Sequence, residues 1–73
     1  MKDLRFQDIF LNELRRNGTV VRIELLNDTG LMCKIQGYDN DVVIVNTGNE
    51  HQRMLYKNNI ISVAADKKII QKQ

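Results

Sequence analysis

The sequence predicts a single, mostly β domain in which an N-terminal α-helix precedes five short strands. The strands are expected to form a strongly bent antiparallel sheet or barrel. Three observations support this prediction: 73 residues suffice for one core only, the apolar period changes from 3.6 to 2 after residue 18, and turn-forming residues separate short apolar runs. No proline interrupts any of the predicted strands.

Residues 4–16 have the pattern of an amphipathic helix. Apolar side chains recur four residues apart, as in Phe6 and Phe10, so they form one stripe with polar residues opposite. Asp3 is a suitable N-cap, and Gly18 is the residue type that most often ends a helix. We therefore expect the apolar stripe to pack on the strands that follow.

In the remainder of the chain, apolar and polar residues alternate with the two-residue period of β-strands. Strands are predicted at residues 19–26, 31–36, 42–45, 52–57 and 60–65. Turns are predicted at residues 27–30, 39–40, 46–49 and 58–59, where Asn, Asp and Gly are concentrated. Gly37 extends the second run and predicts a bulge or sharp bend there.

Composition excludes several classes of protein. One cysteine, Cys33, cannot form an internal disulfide, and with the single His51 it provides too few ligands for structural zinc. No apolar run approaches the length of a membrane span, and the first residues lack the apolar core of a secretory signal. With a lone thiol, the sequence favours a cytoplasmic protein.

Catalysis is not expected from this sequence. It has no Gly-rich phosphate loop, no nucleophile paired with a base and no cluster of metal ligands. We therefore expect no enzyme activity, no cofactor, no metal and no small-molecule substrate. Cys33 is expected to be a small packing residue.

Self-association is expected, because so small a domain lacks a disulfide or metal to stabilise it. A small bent sheet also leaves open strand edges, which pair with another copy unless they are blocked. Head-to-tail pairing of identical subunits closes into a ring when the rotation allows.

Charge is segregated along the chain. Residues 18–52 carry two basic and five acidic side chains, whereas residues 53–73 carry five basic side chains and one acidic one. Residues 1–17 are slightly basic, with four basic and three acidic side chains. An anionic partner would therefore find its contacts near the two ends of the sequence. From charge alone, however, a solvated surface with a basic tail is the favoured explanation.

Four segments in order resemble the bacterial Sm-like RNA chaperone family Hfq. Residues 6–16 resemble the family's helix pattern Gln-Asp-x-Phe-Leu-Asn-x-x-Arg-[Arg/Lys], and residues 21–27 resemble its first strand. Residues 35–40 resemble the second strand and turn, and residues 55–62 resemble the segment with the Tyr-Lys-His signature. The resemblance covers residues 4–65, with about three extra residues between positions 46 and 61. It implies an Sm-like domain at 1–65 and a basic, disordered tail at 66–73.

The resemblance implies a homohexameric ring whose helix-bearing face binds uridine-rich RNA. Gln7, Tyr56, Lys57, Asn58 and Asp41 match the uridine-site positions of the family. Two of them depart from its pattern, because Asn58 replaces a His and Asp41 replaces a Phe that stacks on uracil. A carboxylate cannot stack and repels phosphate, so we expect weaker uridine binding than is usual for the family.

Two further RNA surfaces are implied. The opposite face, which binds purine-rich RNA in the family, corresponds to Glu24, Thr29, Gly30 and Met32, and here Glu24 replaces an aromatic residue. Glu24 side chains would oppose a phosphate backbone, so purine-tract binding is expected to be weak. Cys33 stands where the family usually has a Gly that permits a sharp bend.

The rim of the ring would carry Asn12, Arg15 and Arg16 near the end of the helix, where guanidinium groups can contact phosphates. Lys67, Lys68 and Lys72 could add nonspecific attraction for RNA or act only to keep the tail soluble. Tyr38 matches a core aromatic of the family, and Asp39 matches a turn aspartate that bonds backbone amides.

The resemblance thus implies an RNA chaperone that promotes pairing between small RNAs and messages in post-transcriptional regulation, including stress responses. A second function remains open: a regulatory or protein-interaction subunit that has kept the Sm-like fold but has weakened RNA binding. The replacements at Glu24, Asp41 and Asn58 favour this alternative. A salt titration separates the two, because phosphate contacts weaken steeply with salt and apolar contacts do not.

Overall fold

A computed structural model describes residues 6–66 and 69 and confirms the predicted fold. One helix precedes five antiparallel strands in a single bent sheet with the order β4-β3-β2-β1-β5. The elements are α1 (Phe6–Asn17), β1 (Val20–Leu25), β2 (Gly30–Tyr38), β3 (Val42–Gly48), β4 (His51–Tyr56), the 3-10 turn Lys57–Asn59 and β5 (Ile60–Ala64). Strands β4 and β5 are the two edges of the sheet.

Helix α1 ends in a Schellman motif. Gly18 adopts a positive φ of 61°, which costs glycine no steric strain. The Thr19 N–H donates to the Leu14 carbonyl at 3.3 Å, and the Gly18 N–H donates to the Arg15 carbonyl at 3.4 Å. The predicted end of the helix is therefore confirmed, whereas the predicted Asp3 cap lies outside the described residues.

The core lies between the helix and one face of the sheet. Val21, Ile23 and Leu25 of β1 are buried while the residues between them are more exposed, as their alternation predicts. The buried core residues are Leu11, Leu14, Val21, Ile23, Leu25, Cys33, Ile35, Val43, Val45 and Leu55. Phe6 was predicted to belong to the apolar stripe, but its side chain is 74% exposed, so the buried stripe begins one turn later.

Three register irregularities bend the sheet. The pairing of β2 with β3 shifts between Ile35 and Gly37, which confirms the bulge predicted at Gly37. A second shift leaves Thr47 of β3 without a partner on β4. A third leaves Ile61 of β5 without a partner on β1. The second and third lie where the sequence has extra residues relative to the family pattern, so the sheet accommodates them as bulges.

The turn predicted at residues 46–49 is misplaced. Strand β3 continues to Gly48, and the turn consists of Asn49 and Glu50, whose φ angles are 52° and 66°. Positive φ at both central residues is typical of the type I′ turn that joins two strands tightly. The concentration of Asn, Thr and Gly suggested a loop, whereas these residues are part of a longer hairpin.

Near the end of the described chain, Ile69 is partly buried and packs against the core. The basic tail residues Lys67, Lys68 and Lys72 lie outside the described residues, so the division at residue 65 stays a prediction. Within the described part of the chain, no helix has the length and apolar character needed to cross a membrane.

Candidate nucleic-acid interface

A cavity opens between the start of α1 and the start of β5, with a volume of about 290 Å³. We call it the helix-face cavity. It is lined by Gln7, Phe10, Leu11, Val43, Lys57, Ile60, Ile61, Ser62 and Val63. The fold therefore brings together Gln7 and Lys57, which are fifty positions apart in the sequence. A side-chain amide, a cation and apolar walls thus face one small space.

Lys57 is placed to bind an acceptor. Its Nζ atom is buried and has no hydrogen-bond partner among the described residues. It lies 5.5 Å from the centroid of the Tyr38 ring, a distance that allows a cation–π interaction. An ammonium group carries three donors, and leaving them unsatisfied in a buried position is costly. A phosphate or carbonyl oxygen entering the cavity would relieve this cost.

Tyr38 holds the helix beside this lysine. Its hydroxyl donates to the backbone carbonyl of Asp8 at 3.0 Å, which joins the end of β2 to the first turn of α1. Its ring is partly buried and packs against the core, as the sequence predicts. Tyr38 therefore contacts two walls of the helix-face cavity: it bonds the helix through its hydroxyl and lies beside Lys57 through its ring.

The turn between β2 and β3 positions Asp41. The Asp39 carboxylate accepts the backbone N–H groups of Asp41 and Val42 at 2.8 and 2.9 Å, the role predicted for it. These two hydrogen bonds hold the pKa of Asp39 below its usual value. The Asp41 carbonyl accepts the Lys57 N–H at 2.8 Å, so Asp41 is tied to the cavity through its backbone.

Two other predicted uridine-site residues lie apart from Gln7 and Lys57. Tyr56 is 54% exposed and lines a separate cavity of about 330 Å³ together with Leu26 and Arg53. Asn58 is exposed in the 3-10 turn and lines neither cavity. Within one subunit, the structure thus assembles part of the predicted set around the helix-face cavity.

The rim residues occupy the exposed surface near the end of α1. The Arg15 guanidinium donates to Oδ1 of Asn12 at 2.7 Å, so a neutral amide orients it. The Arg16 guanidinium donates instead to the Glu13 carboxylate at 3.1 Å, which compensates its charge. Arg15 therefore presents a full positive charge at the rim, while Arg16 shares its charge with an acidic neighbour.

The solvent-facing side of β1 and β2, which we call the outer sheet face, contains an ion pair. Nε of Arg22 donates to Oε2 of Glu24 at 2.5 Å, and the Arg22 side chain lies over Gly30. A Cβ atom on Gly30 would come within 2.6 Å of Arg22 Nη2, so a larger residue at this position would require the exposed Arg22 guanidinium to move aside. The charge of Glu24, which the sequence analysis expects to oppose a phosphate backbone, is thus compensated by Arg22.

The remaining outer-face residues flank this ion pair. Met32 is the cross-strand partner of Arg22 and is 54% exposed. Thr29 lies in the preceding turn, where its N–H donates to the Asn27 side chain at 3.2 Å. The outer sheet face therefore combines a compensated ion pair with an exposed thioether.

Sequence reasoning did not identify Ile61 and Ser62 as cavity-lining residues. Ile61 is the unpaired bulge residue of β5 and is 60% exposed. The signal available in the sequence was the adjacent pair Ile60 and Ile61, which breaks strict alternation in a strand with one buried face. Arg22 was also missed, because its pairing with Glu24 depends on the space above Gly30.

Neither a metal centre nor a thiol site is assembled in the described part of the chain. Among residues 6–66 and 69, no three His, Cys, Asp or Glu side chains lie close enough to hold a metal ion. Cys33 and His51 lie on β2 and β4, and burial raises the pKa of the Cys33 thiol. Cys33 packs in the core, as predicted.

Comparisons with known proteins identify the family of this chain. The family model described as Hfq protein matches residues 6–70. A relative from Caldicellulosiruptor bescii, named RNA-binding protein Hfq, is 42% identical over 66 residues, which are 90% of this chain and 72% of the relative. A protein of the same name from Bacillus velezensis is 36% identical over 69 residues, which are 94% of this chain and 93% of the relative.

Structural comparison gives the same family. The crystal structure of Hfq described as a pleiotropic translational regulator matches with a TM-score of 0.79 and 30% identity, covering 84% of this chain and all of the other. The names of these proteins describe binding and regulation rather than catalysis, in agreement with the expectation that the chain is not an enzyme. By sequence and by fold, this chain belongs to the Hfq family.

Proposed function

We propose that this chain is an RNA-binding protein that assembles into a homohexameric ring and promotes pairing between small RNAs and messages. Uridine-rich single strands would bind at the helix-face cavity, and the rim would attract the phosphates of the pairing RNAs. The observation that carries this proposal is the buried Lys57 ammonium, which shares a cavity with the Gln7 amide and has no hydrogen-bond partner among the described residues.

Each group of the cavity matches a part of a uridine nucleotide. The Gln7 amide can both donate to and accept from a uracil edge, whereas Lys57 can donate to a phosphate or a uracil carbonyl. Phe10 and Ile61 supply apolar surface beside them. Single-stranded RNA is generally held by this combination of stacking surface, edge hydrogen bonds and nearby cations.

A ring would multiply a weak site. The edge strands β4 and β5 offer unpaired backbone groups through which one copy can pair with the next. Repeating the same cavity around a ring raises the apparent affinity for a strand that contacts several copies at once. The first measurement is therefore the solution mass by light scattering over a concentration series. A mass of six subunits is expected, and a persistent monomer would contradict the proposal.

Two variants then test the division of labour between cavity and rim. Lys57→Ala should weaken binding of a uridine oligomer by about tenfold or more, because it removes a charge-assisted hydrogen bond. Arg16→Ala should slow annealing of two complementary RNAs more than it weakens uridine binding. Fluorescence anisotropy measures the first property and a strand-pairing assay the second.

The control for the rim is Glu13→Gln. It removes the carboxylate that compensates Arg16, so annealing should become faster while uridine affinity stays unchanged. Equal losses of Arg16→Ala in both assays would refute the division of labour. If Lys57→Ala leaves uridine affinity unchanged, Lys57 does not contribute to uridine binding.

A second function, a protein-interaction subunit with weakened RNA binding, is favoured by the exposed Asp41 and the compensated Arg22. Both features lower the attraction of the ring for phosphates. The salt dependence of binding distinguishes the two functions. An RNA affinity that falls steeply with salt supports the chaperone, whereas the absence of measurable RNA binding in low salt supports the alternative.

A further inference from the structure

The described residues form a cavity larger than those already discussed. It has a volume of about 810 Å³, compared with about 290 Å³ for the helix-face cavity. It extends from the end of α1 across β2 and β3, and its walls include Arg15, Met32, Lys34, Gln36 and Asn46. Arg15 belongs to the rim and Met32 to the outer sheet face, so this groove joins two surfaces that the sequence analysis treated separately.

The floor of the groove is a row of side chains that crosses the sheet. Lys34 of β2 is the cross-strand partner of Val20 on β1 and of Asn46 on β3. Asn46 is in turn the partner of Gln52 on β4. Because directly opposed residues point to the same side of a sheet, these side chains lie next to one another on one face.

Two cations of the groove keep their full charge. The ion pairs within residues 6–66 and 69 are Arg16 with Glu13 and Arg22 with Glu24, and neither includes Arg15 or Lys34. Both of these side chains are exposed, and because Glu50 also lines the groove, two cations and one carboxylate give its lining a net charge of +1. Uncompensated cations at an open groove attract anions, and because they come from a helix and a strand they suit an extended anion better than a single ion.

The amides of the groove are already oriented. Gln36 Oε1 accepts from Gln52 Nε2 at 2.6 Å, and Asn46 Oδ1 accepts from the Gly48 N–H at 2.7 Å. Each of these bonds occupies an oxygen and leaves the NH₂ group of Gln36 or Asn46 to donate outward. Amide donors beside cations are suited to the edges of bases on a phosphate-bearing strand.

Met32 supplies a contact of a third kind. Its thioether is exposed at the side of the groove that meets the outer sheet face. Methionine sulfur makes favourable contacts with aromatic rings, and a flexible thioether adapts to more than one base. The groove thus contains the three groups that an unstacked RNA strand requires: cations, base-edge donors and an apolar surface.

We propose that a single RNA strand runs through this groove from Arg15 at the rim to Met32 on the outer sheet face, with Lys34 on a phosphate and Gln36 and Asn46 on base edges. This inference rests on the proposed RNA-binding function and adds a path between two of its surfaces. It assigns roles in binding to Lys34, Gln36 and Asn46.

The test compares Lys34→Gln with Arg22→Gln. Both variants remove one exposed positive charge from the same side of the sheet, but Arg22 is paired with Glu24 and does not line the groove. Affinity for a long single-stranded RNA of mixed sequence is measured by anisotropy over graded KCl concentrations. Lys34→Gln should reduce the slope of log affinity against log salt by about 0.7 for each phosphate that Lys34 neutralises. Arg22→Gln should leave the slope at the wild-type value.

A second measurement locates the strand. Backbone amide signals of Lys34, Gln36 and Asn46 should shift in NMR spectra when the same RNA is added to the full chain. The same signals should shift less when a short uridine oligomer is added, because that oligomer is expected to bind at the helix-face cavity. Equal salt slopes in the two variants, or groove signals unmoved by RNA, would overturn the inference. Thermal melts of both variants confirm folding, which exposed substitutions are expected to preserve.

The proposed function is tested separately in the same series. If the wild type binds uridine oligomers while Lys34→Gln and Arg22→Gln behave alike, only the groove inference fails. If the wild type binds no RNA at low salt, the proposed function fails with it.

Discussion

The helix-face cavity and the outer sheet face both contain a cation, but the two cations differ in what surrounds them. In the cavity, Lys57 Nζ is buried and has no hydrogen-bond partner among the described residues. On the outer sheet face, Arg22 is exposed and paired with Glu24. The first cation gains hydrogen bonds when an anion arrives, whereas the second must give up a partner. Equal charges on two surfaces therefore do not give equal affinity for RNA.

After Lys57→Ala, the largest effect is expected from a second change in the cavity, Gln7→Met. This change keeps the length of the side chain and removes the amide that can bond a uracil edge. Preference for uridine over cytidine oligomers should fall by up to about tenfold, because hydrogen bonds of this kind contribute roughly 0.5–1.5 kcal/mol. Competition binding with the two oligomers measures it. An unchanged preference would show that base selection does not depend on Gln7.

A moderate gain in uridine affinity is expected from Asp41→Asn, which removes an exposed carboxylate from the residue whose backbone carbonyl accepts the Lys57 N–H. Uridine affinity should rise by about two- to fivefold at low salt, the range expected for an exposed charge worth up to roughly 1 kcal/mol. The gain should disappear as salt is raised, since exposed charges are screened. Asp28→Asn, in the β1–β2 turn, makes the same charge change elsewhere and should have a smaller effect. Equal gains in both variants would assign the effect to net charge.

A smaller gain in RNA affinity is expected from Glu24→Gln on the outer sheet face. Removing the carboxylate frees Arg22, so affinity for an adenosine-rich oligomer should rise by about twofold, in keeping with the modest energy of exposed ion pairs. Uridine affinity should stay constant in the same variant. A rise for both oligomers would mean that the two surfaces are not independent.

The smallest effect concerns Asp39, in the turn that positions Asp41. It is a dependence of the stability of the fold on pH. Backbone hydrogen bonds lower the pKa of Asp39 in the folded state, so ionised Asp39 stabilises the fold above the unfolded-state pKa, near 3.8. This contribution is lost as pH falls through the folded-state value. In Asp39→Asn the side chain cannot titrate. The difference in Tm between wild type and variant should therefore narrow as the pH is lowered from neutral to about 3. A constant difference would contradict the role assigned to these hydrogen bonds.

Much of the fold followed from the sequence because burial alternates so regularly. Val21, Ile23 and Leu25 predicted the buried face of β1, and Gly37 predicted the β2 bulge. The turn predicted at residues 46–49 was misplaced, because Asn and Gly are common both in tight two-residue turns and in longer loops. Composition alone does not distinguish these two, whereas the pairing of β3 with β4 does.

The candidate site was predicted in part, and the resemblance to a family carried most of it. It assigned Gln7 and Lys57 to one uridine site; both residues line the helix-face cavity, and their role in binding stays a prediction. It did not indicate that Arg22 pairs with Glu24, since this contact depends on the open space above Gly30. The groove beside Lys34 was also missed, because it depends on the register of three strands.

The close approach of Arg22 to Gly30 has a consequence for how substitutions at the two positions combine. A side chain at position 30 and a long one at position 22 would compete for the same volume. Replacing Gly30 would therefore require the Arg22 guanidinium to leave its present position over residue 30. We therefore expect the effect of a substitution at position 30 to depend on whether position 22 carries a long or a short side chain.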